Sequence, residues 1–279
     1  MKNISFLSAN GVDINSSLEI FGDIDTYNKT LGEFIMSAPE KLERLEYYNN
    51  SRDMGNFAIY VHSLKSDAKY FGFKDLAELS LNNELKSKNG DFSYIQQNFE
   101  ALKTAVNTAV NIANQYLNGS DDDTPSSIQE MQNEDDEPVS EAIDSQNQYS
   151  VPTILVVDDS NIIRNFVKRI FEGKYNVGVA KDGEQAIRIL EANKDNDFIE
   201  VVLLDLNMPK VDGFAVLEYM RENELFEKMP VSIISGDSSK ETIDRAFTYD
   251  IVDMLNKPFN EKSVKAVIDK TLIYKENKD

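Results

Sequence analysis

Residues 119–150, GSDDDTPSSIQEMQNEDDEPVSEAIDSQNQYS, hold ten acidic side chains, no basic one and scarcely any large apolar group. Such a segment cannot bury enough surface to offset the entropy of ordering it, so it is expected to be a disordered, self-repelling acidic linker. An acidic interaction motif anchored on Ile128 and Met131 is the alternative reading. Either way, the 279-residue chain must organise its cores on both sides, in residues 1–118 and 151–279. The net charge of −20 divides as −4, −10 and −6 over the three segments. That balance excludes direct binding to nucleic acid, which needs a basic footprint. No internal repeat of 20–50 residues is visible.

Apolar runs are strand-sized, far short of the ~20 residues of a membrane-spanning helix. The first twenty residues carry Asp13 and Glu19 and no basic leader, so a cytoplasmic protein without membrane contact is expected. The absence of cysteine removes disulfide scaffolds, thiol catalysis and iron–sulfur clusters.

Before the linker the pattern is helical throughout. INSSLEIFG is a short amphipathic piece and DIDTYNKTLGEFIMSA follows it, while Pro39 suits the first turn of PEKLERLEYYNN. Ser51 is placed to cap the next helix and Gly72 to end it. KDLAELSLNNELKS stops at KNGD, and a last helix sets Ile95, Phe99, Leu102, Val106, Ala109, Ala113 and Leu117 at steps of three and four. Short loops between such helices predict an antiparallel bundle of four helices.

The helix between Ser51 and Gly72 carries His62, the chain's only histidine. Phe57, Val61, Leu64, Ala68 and Phe71 form its apolar stripe. His62 lies off that stripe, on the face shared by Lys65, Ser66 and Lys69, so the imidazole is expected to stand in water between two ammonium groups. That cationic rim would lower its pKa and keep it neutral and nucleophilic. One histidine without cysteine cannot make a multi-histidine or mixed metal site.

After the linker the period changes. The β-branched runs TILVV, NVGVA, EVVLL, VSII and DIVDML alternate with helices beginning near Ser160, Gly183, Gly213, Ser238 and Asn260. Five βα units predict a doubly wound parallel sheet with its site at the carboxyl ends of the strands. Asp158 and Asp159 end the first strand, Asp205 the third and Ser235 the fourth, and the fifth leads into Lys257. Three carboxylates converging with one ammonium repel one another unless a hard cation joins them, which points to Mg²⁺ as cofactor. Once the charge is neutralised, one carboxylate can attack phosphorus.

VVDDS, LLDLNMP, IISG and NKPF make residues 151–279 resemble a response-regulator receiver domain, a flavodoxin-like fold. The resemblance implies that Asp205 accepts the phosphoryl group and that Asp159 binds Mg²⁺ directly. It further implies that Asp158 binds the ion mainly through water, that the Asn207 backbone carbonyl is a further ligand, and that Ser235 and Lys257 hold phosphoryl oxygens. One departure is Met254, where the family often has an aromatic residue that turns inward on activation; methionine is flexible enough to fill the same gap. No effector domain is expected beyond the last helix.

Residues 1–118 resemble the histidine-containing phosphotransfer (HPt) domain through HSLKS and Gly72, with Ser66 replacing the usual glycine. Together the two resemblances imply a phosphorelay protein of bacterial-type two-component signalling. His62 and Asp205 would be its stations, and it would be a phosphotransfer component without a kinase domain, its receiver catalysing its own phosphorylation and dephosphorylation. Its partners would be a histidine kinase or other receiver or HPt domains, with a protein partner at the receiver's output face. The competing expectation is a phosphorylation-gated binding module whose bundle docks but does not transfer. A nucleotide- or flavin-binding flavodoxin-like protein is disfavoured, because acid stands where a glycine-rich phosphate loop would follow the first strand.

Overall fold

The computed structural model describes residues 3–119 and 153–277; the expected linker lies outside them, apart from Gly119. The helical region comprises short helices α1 (Ile4–Ala9) and α2 (Ile14–Phe21), then four long ones, α3 (Ile24–Ser51), α4 (Met54–Tyr70), α5 (Lys74–Lys88) and α6 (Phe92–Asn118). The expected apolar stripes face inward: Phe57, Val61, Leu64, Ala68 and Phe71 on and just after α4 are buried, as are Ile95, Phe99, Leu102, Val106, Ala109 and Ala113 of α6. Tyr116 rather than Leu117 completes the α6 stripe.

Two local expectations are corrected. Pro39 does not begin a helix but sits inside the 28-residue α3. Proline there forfeits one backbone hydrogen bond, a cost of about 3 kcal/mol. The helix continues because Tyr27, Leu31, Phe34, Ala38, Leu42 and Leu45 form one buried row through that point, and burying each large side chain returns roughly 1.5–3 kcal/mol. Ser51 ends α3 instead of capping α4; the cap is Asp53, whose carboxylate accepts from the Asn56 backbone N–H at 3.0 Å. Gly72, just past α4, adopts φ +74°, and a Cβ there would stand 2.5 Å from the Asp13 carbonyl oxygen. Only glycine meets both conditions, which explains this motif position structurally.

The second half is a five-stranded parallel sheet in the order β2-β1-β3-β4-β5, from β1 (Thr153–Val157), β2 (Asn176–Ala180), β3 (Ile199–Asp205), β4 (Val231–Ser235) and β5 (Asp253–Asn256). This is the doubly wound flavodoxin-like order. Helices α7 (Asn161–Phe171), α8 (Gly183–Asn193), α9 (Gly213–Glu222), α10 (Lys240–Ala246) and α11 (Glu261–Glu276) connect and flank the strands. Central strands β1 and β4 are buried throughout, whereas edge strands β2 and β5 are not, as expected when helices cover both faces. Strand β5 is shorter than DIVDML, since Asp250–Val252 lead into it outside the ladder.

The two halves share a core. Phe21 packs edge-on against Phe166 of α7 at 5.2 Å between ring centroids, and Tyr70 meets Phe259 at 5.9 Å and 89°. The Tyr70 hydroxyl accepts from the Phe259 backbone N–H at 3.3 Å. Around this aromatic seam, Arg169 donates to Glu33 at 2.8 Å and to the Thr30 hydroxyl at 2.6 Å, and the Asn165 amide reaches Glu33 at 3.2 Å. No helix among the described residues is long and apolar enough to cross a membrane.

Candidate functional site

The parallel topology delivers the strand-end groups to one crevice. Asp158, Asp159 and Asp205 each present a carboxylate oxygen within 4.8 Å of the others. Lys257 Nζ lies 2.7 Å from Asp158 Oδ2 and 2.6 Å from Asp205 Oδ2. Ser235 is fully buried beside it, its hydroxyl accepting from the Asp237 backbone N–H at 3.0 Å. Asn207, whose backbone N–H donates to Asp205 Oδ1 at 3.1 Å, continues the loop after β3. Met254 is half-buried and packs with the cluster containing Tyr249 and Ile251.

The electrostatics follow from three acids sharing one ammonium. Burial raises Asp205 to about 7, with the neighbouring Asp158 and Asp159 charges adding to burial and Lys257 opposing it. Burial likewise raises Asp158. Burial works against the Lys257 charge too, but Asp158 and Asp205 outweigh it and hold the ammonium charged far above neutrality. The cluster remains short of positive charge, and its all-oxygen donor set fits a hard divalent cation.

His62 sits differently from its sequence-based expectation. It is 3% exposed, not in water, because the receiver covers its face of α4. Lys65 and Ser66 are buried with it, while Lys69 alone remains exposed. Lys65 turns away from any anion rim and bonds Glu84 Oε2 at 2.6 Å. The imidazole Nδ1 lies 2.7 Å from Glu84 Oε1. An ionised carboxylate only accepts, so Nδ1 carries the proton and the lone pair is on Nε2. Burial disfavours the Glu84 charge, yet His62 and Lys65 outweigh that and hold its carboxyl well below the usual range. Lys88 adds a third contact at 2.7 Å. The His62 pKa is lowered, as expected, although burial is the first cause; Lys65 and Lys257 add to it and Glu84 opposes it.

Nε2 is buried with no hydrogen-bond partner, and it points at the receiver: a Cβ added to Gly236, next to Ser235, would lie 2.8 Å from it. A buried polar bridge flanks this junction, where Ser160 Oγ donates to Asp67 Oδ1 at 3.0 Å and Lys41 holds the other oxygen of Asp67. Sequence reasoning missed Glu84, Asp67, Arg169 and Gly236. The pairs Glu84–His62, Asp67–Ser160 and Arg169–Glu33 are 22, 93 and 136 residues apart, and Gly236 meets His62 from the other half of the chain, beyond any local pattern.

The response regulator receiver domain family matches residues 154–269. The chemotaxis protein CheY-3 of Vibrio cholerae is 33% identical over 119 residues, spanning 42% of this chain and 88% of that protein. The two-component response regulator ORR3 of Oryza sativa subsp. indica is 26% identical over 123 residues, 44% of this chain and 92% of that protein. The transcriptional regulatory protein CpxR of Escherichia coli is 35% identical over 118 residues, where this chain spans 47% of its length. A solved structure of Vibrio cholerae CheY4 is 25% identical, with a TM-score of 0.40, covering 44% of this chain and all of that one. Through its sheet half the chain belongs to the response-regulator receiver family. That half is therefore a two-component phosphoacceptor domain, of a kind that interacts with kinases or other signalling proteins and generally binds Mg²⁺ at its acidic pocket.

Proposed function

We propose that the chain is a phosphorelay component in which a phosphoryl group passes between His62 of an HPt-like bundle, residues 1–118, and Asp205 of the receiver, residues 151–279. The observation that carries this reading is the unpartnered, buried Nε2 of His62, which faces the receiver at Gly236, the neighbour of Ser235 in the acidic pocket. Toward Asp205, the Nε2–P bond breaks as an Asp205 carboxylate oxygen bonds phosphorus, and the bonding pair returns to Nε2. In reverse, the Asp205 carboxylate leaves. Glu84 keeps the ring proton on Nδ1 in both directions, so Nε2 alone gains and loses the group. Ser235 and Lys257 bind the transferred oxygens, and Lys257 balances charge as it moves. Asp158 and Asp159, with the Asn207 carbonyl, would hold Mg²⁺, which supplies charge neutralisation to the phosphoryl oxygens. The chain acts as a phosphotransfer component rather than a kinase, in a cytoplasmic pathway.

A second reading, a phosphorylation-gated docking module without transfer, draws on the continuous aromatic seam between the halves. One experiment separates the two. The full chain is labelled with acetyl phosphate and Mg²⁺, and the product is assayed for base-labile label on Asp205 and base-stable label on His62. Relay predicts base-stable label that is absent in His62→Gln and whose rate per molecule is unchanged over a hundredfold dilution. Label confined to Asp205 in the wild type overturns it in favour of the docking module.

A further inference from the structure

Ser160 stands at the N-cap of α7, where a serine hydroxyl ordinarily accepts a bond from its own helix. Here it does not. The caps of α8, α9, α10 and α11, namely Asp182, Asp212, Ser239 and Asn260, each accept from a first-turn backbone N–H. The Ser160 hydroxyl makes no such bond and donates instead to Asp67 Oδ1 of α4 at 3.0 Å. A local role is given up for a bond between the two halves.

Asp67 is the other end of that bond, and its side chain is fully buried. Lys41 of α3 holds Oδ2 and also donates to the Ser63 hydroxyl at 2.8 Å, while Ser160 meets Oδ1. The bundle thus serves one carboxylate oxygen and the receiver serves the other. A carboxylate taken out of water with one oxygen bare loses its hydration without replacement, a larger penalty than the net worth of the missing bond. The receiver residue at this place must therefore donate. It must also be small, since Ser160 is 1% exposed. Alanine would leave Oδ1 bare, a carboxylate would repel it, and a long donor would not fit. Discrimination of this kind works by penalising the wrong partner as well as by attracting the right one.

Both ends of the bridge are tied to the sites already described. Asp67 shares α4 with His62, and the Ser160 backbone N–H donates to Asp158 Oδ1 at 2.9 Å. The bridge therefore sets the helix of the imidazole against the loop of the acid pair.

We propose that Asp67 is a specificity-determining residue of the bundle: its buried carboxylate selects receivers that carry a small hydroxyl residue directly after the acid pair, as Ser160 does here. For its effect on transfer this rests on the relay reading, whereas its effect on docking does not. Asp67 touches no reacting atom; it is a positioning residue.

The test uses three variants of the full chain: Ser160→Ala, Ser160→Thr, and Ser160→Ala in a background where Lys41→Met and Asp67→Leu replace the ion pair by apolar side chains. The first readout is modification of the only histidine by diethyl pyrocarbonate, which needs an open imidazole nitrogen and is counted by mass spectrometry. The wild type is expected to be protected, and Ser160→Ala should raise the rate by about tenfold or more, the scale of a buried acceptor left unpaired. Ser160→Thr, which keeps the hydroxyl, should stay within about threefold of the wild type, and in the apolar background Ser160→Ala should raise the rate by less than about twofold, because the acceptor it deprives is gone. The second readout is base-stable label on His62 after acetyl phosphate treatment, expressed per Asp205 phosphate formed, which should fall in Ser160→Ala and recover in Ser160→Thr. Melting curves for each variant guard against misfolding. Unchanged protection in Ser160→Ala overturns the proposal, as does an equal loss in Ser160→Thr or a loss that persists in the apolar background. If the protection pattern holds while the wild type itself never labels His62, the selection stands and the relay reading fails.

Discussion

Asp205 and His62 are buried to almost the same degree, 0% and 3% exposed, yet they arrive there by different routes. Asp205 is enclosed by its own fold, since β1, β3, β4 and the segment after β5 all end around it and every group it touches belongs to the receiver. His62 is half enclosed by Glu84 and Lys65 within the bundle and only closed off when the receiver is in place. A site completed by one fold is permanent as long as that fold persists. A site completed by a neighbour depends on docking, so its exposure can change while both folds persist.

The difference is open to attack, beginning where the effect is largest. Asp205→Asn should reduce labelling by acetyl phosphate by more than about 100-fold, because the nucleophile is removed and nothing in the helical region replaces it. Base-labile label at wild-type stoichiometry in that variant would move the acceptor elsewhere. Glu84→Gln should slow transfer through His62 by about tenfold or more, since the ring exchanges a charged, acceptor-only partner for a neutral amide that can also turn its NH₂ toward Nδ1 and so no longer fixes the proton there. It should also lower the imidazole midpoint further, because Glu84 raises it, which proton NMR of the single histidine can read directly. A structural role for Glu84 alone would leave that midpoint where it is.

Arg169→Ala strikes the seam rather than either site. Loss of its contacts to Glu33 and Thr30 should weaken docking by about 1 kcal/mol, the usual scale for a partly exposed charged hydrogen-bond pair. His62 should then react several times faster with diethyl pyrocarbonate while Asp205 labelling keeps its level. Equal losses at both sites would erase the contrast between self-contained and completed sites.

Acid should have a smaller, graded effect. The His62 pKa is lowered from 6.5, so the folded state binds its proton less readily than the unfolded chain. Its contribution to stability is then present above pH 6.5 and is lost as pH falls from there through the folded value. Lys65, Lys257 and the ionised Glu84 face it, and Glu84, held low, stays charged across that window. Asp205 works in the opposite sense: raised from 3.8 to about 7, it stabilises most below 3.8 and loses that contribution as pH rises through about 7. Global unfolding mixes the two, so the histidine resonance is the proper readout, and a midpoint at or above 6.5 would mean an undocked ring. The smallest effect belongs to Lys69→Ala. This side chain is exposed, so stability should move by no more than about 0.5 kcal/mol and transfer should change less than about twofold.

Much of the acidic pocket was legible before any coordinates. Strand period locates strand ends, parallel topology brings those ends together, and Asp158, Asp159, Asp205, Ser235 and Lys257 follow from the two rules. The helical stripes were legible for the same reason, since a period of 3.6 marks the buried face wherever it occurs. Pro39 and Ser51 misled because local helix signals carry only about 1–3 kcal/mol each, less than a continuous buried row contributes. His62 misled in another way. Its helical face was assigned correctly, but periodicity reports which side of a helix is polar, not what later covers that side.

By itself the sequence determined the two kinds of secondary structure and which strand ends bring Asp158, Asp159, Asp205, Ser235 and Lys257 together, because each depends on residues close in the chain or on a topology with few alternatives. The tertiary structure alone decided that Glu84 holds His62, that Arg169 meets Glu33 and that an empty position at Gly236 receives an imidazole. These are contacts between surfaces far apart in sequence, chosen by the joint shape and charge of both faces, and no period along one chain encodes the fit of two.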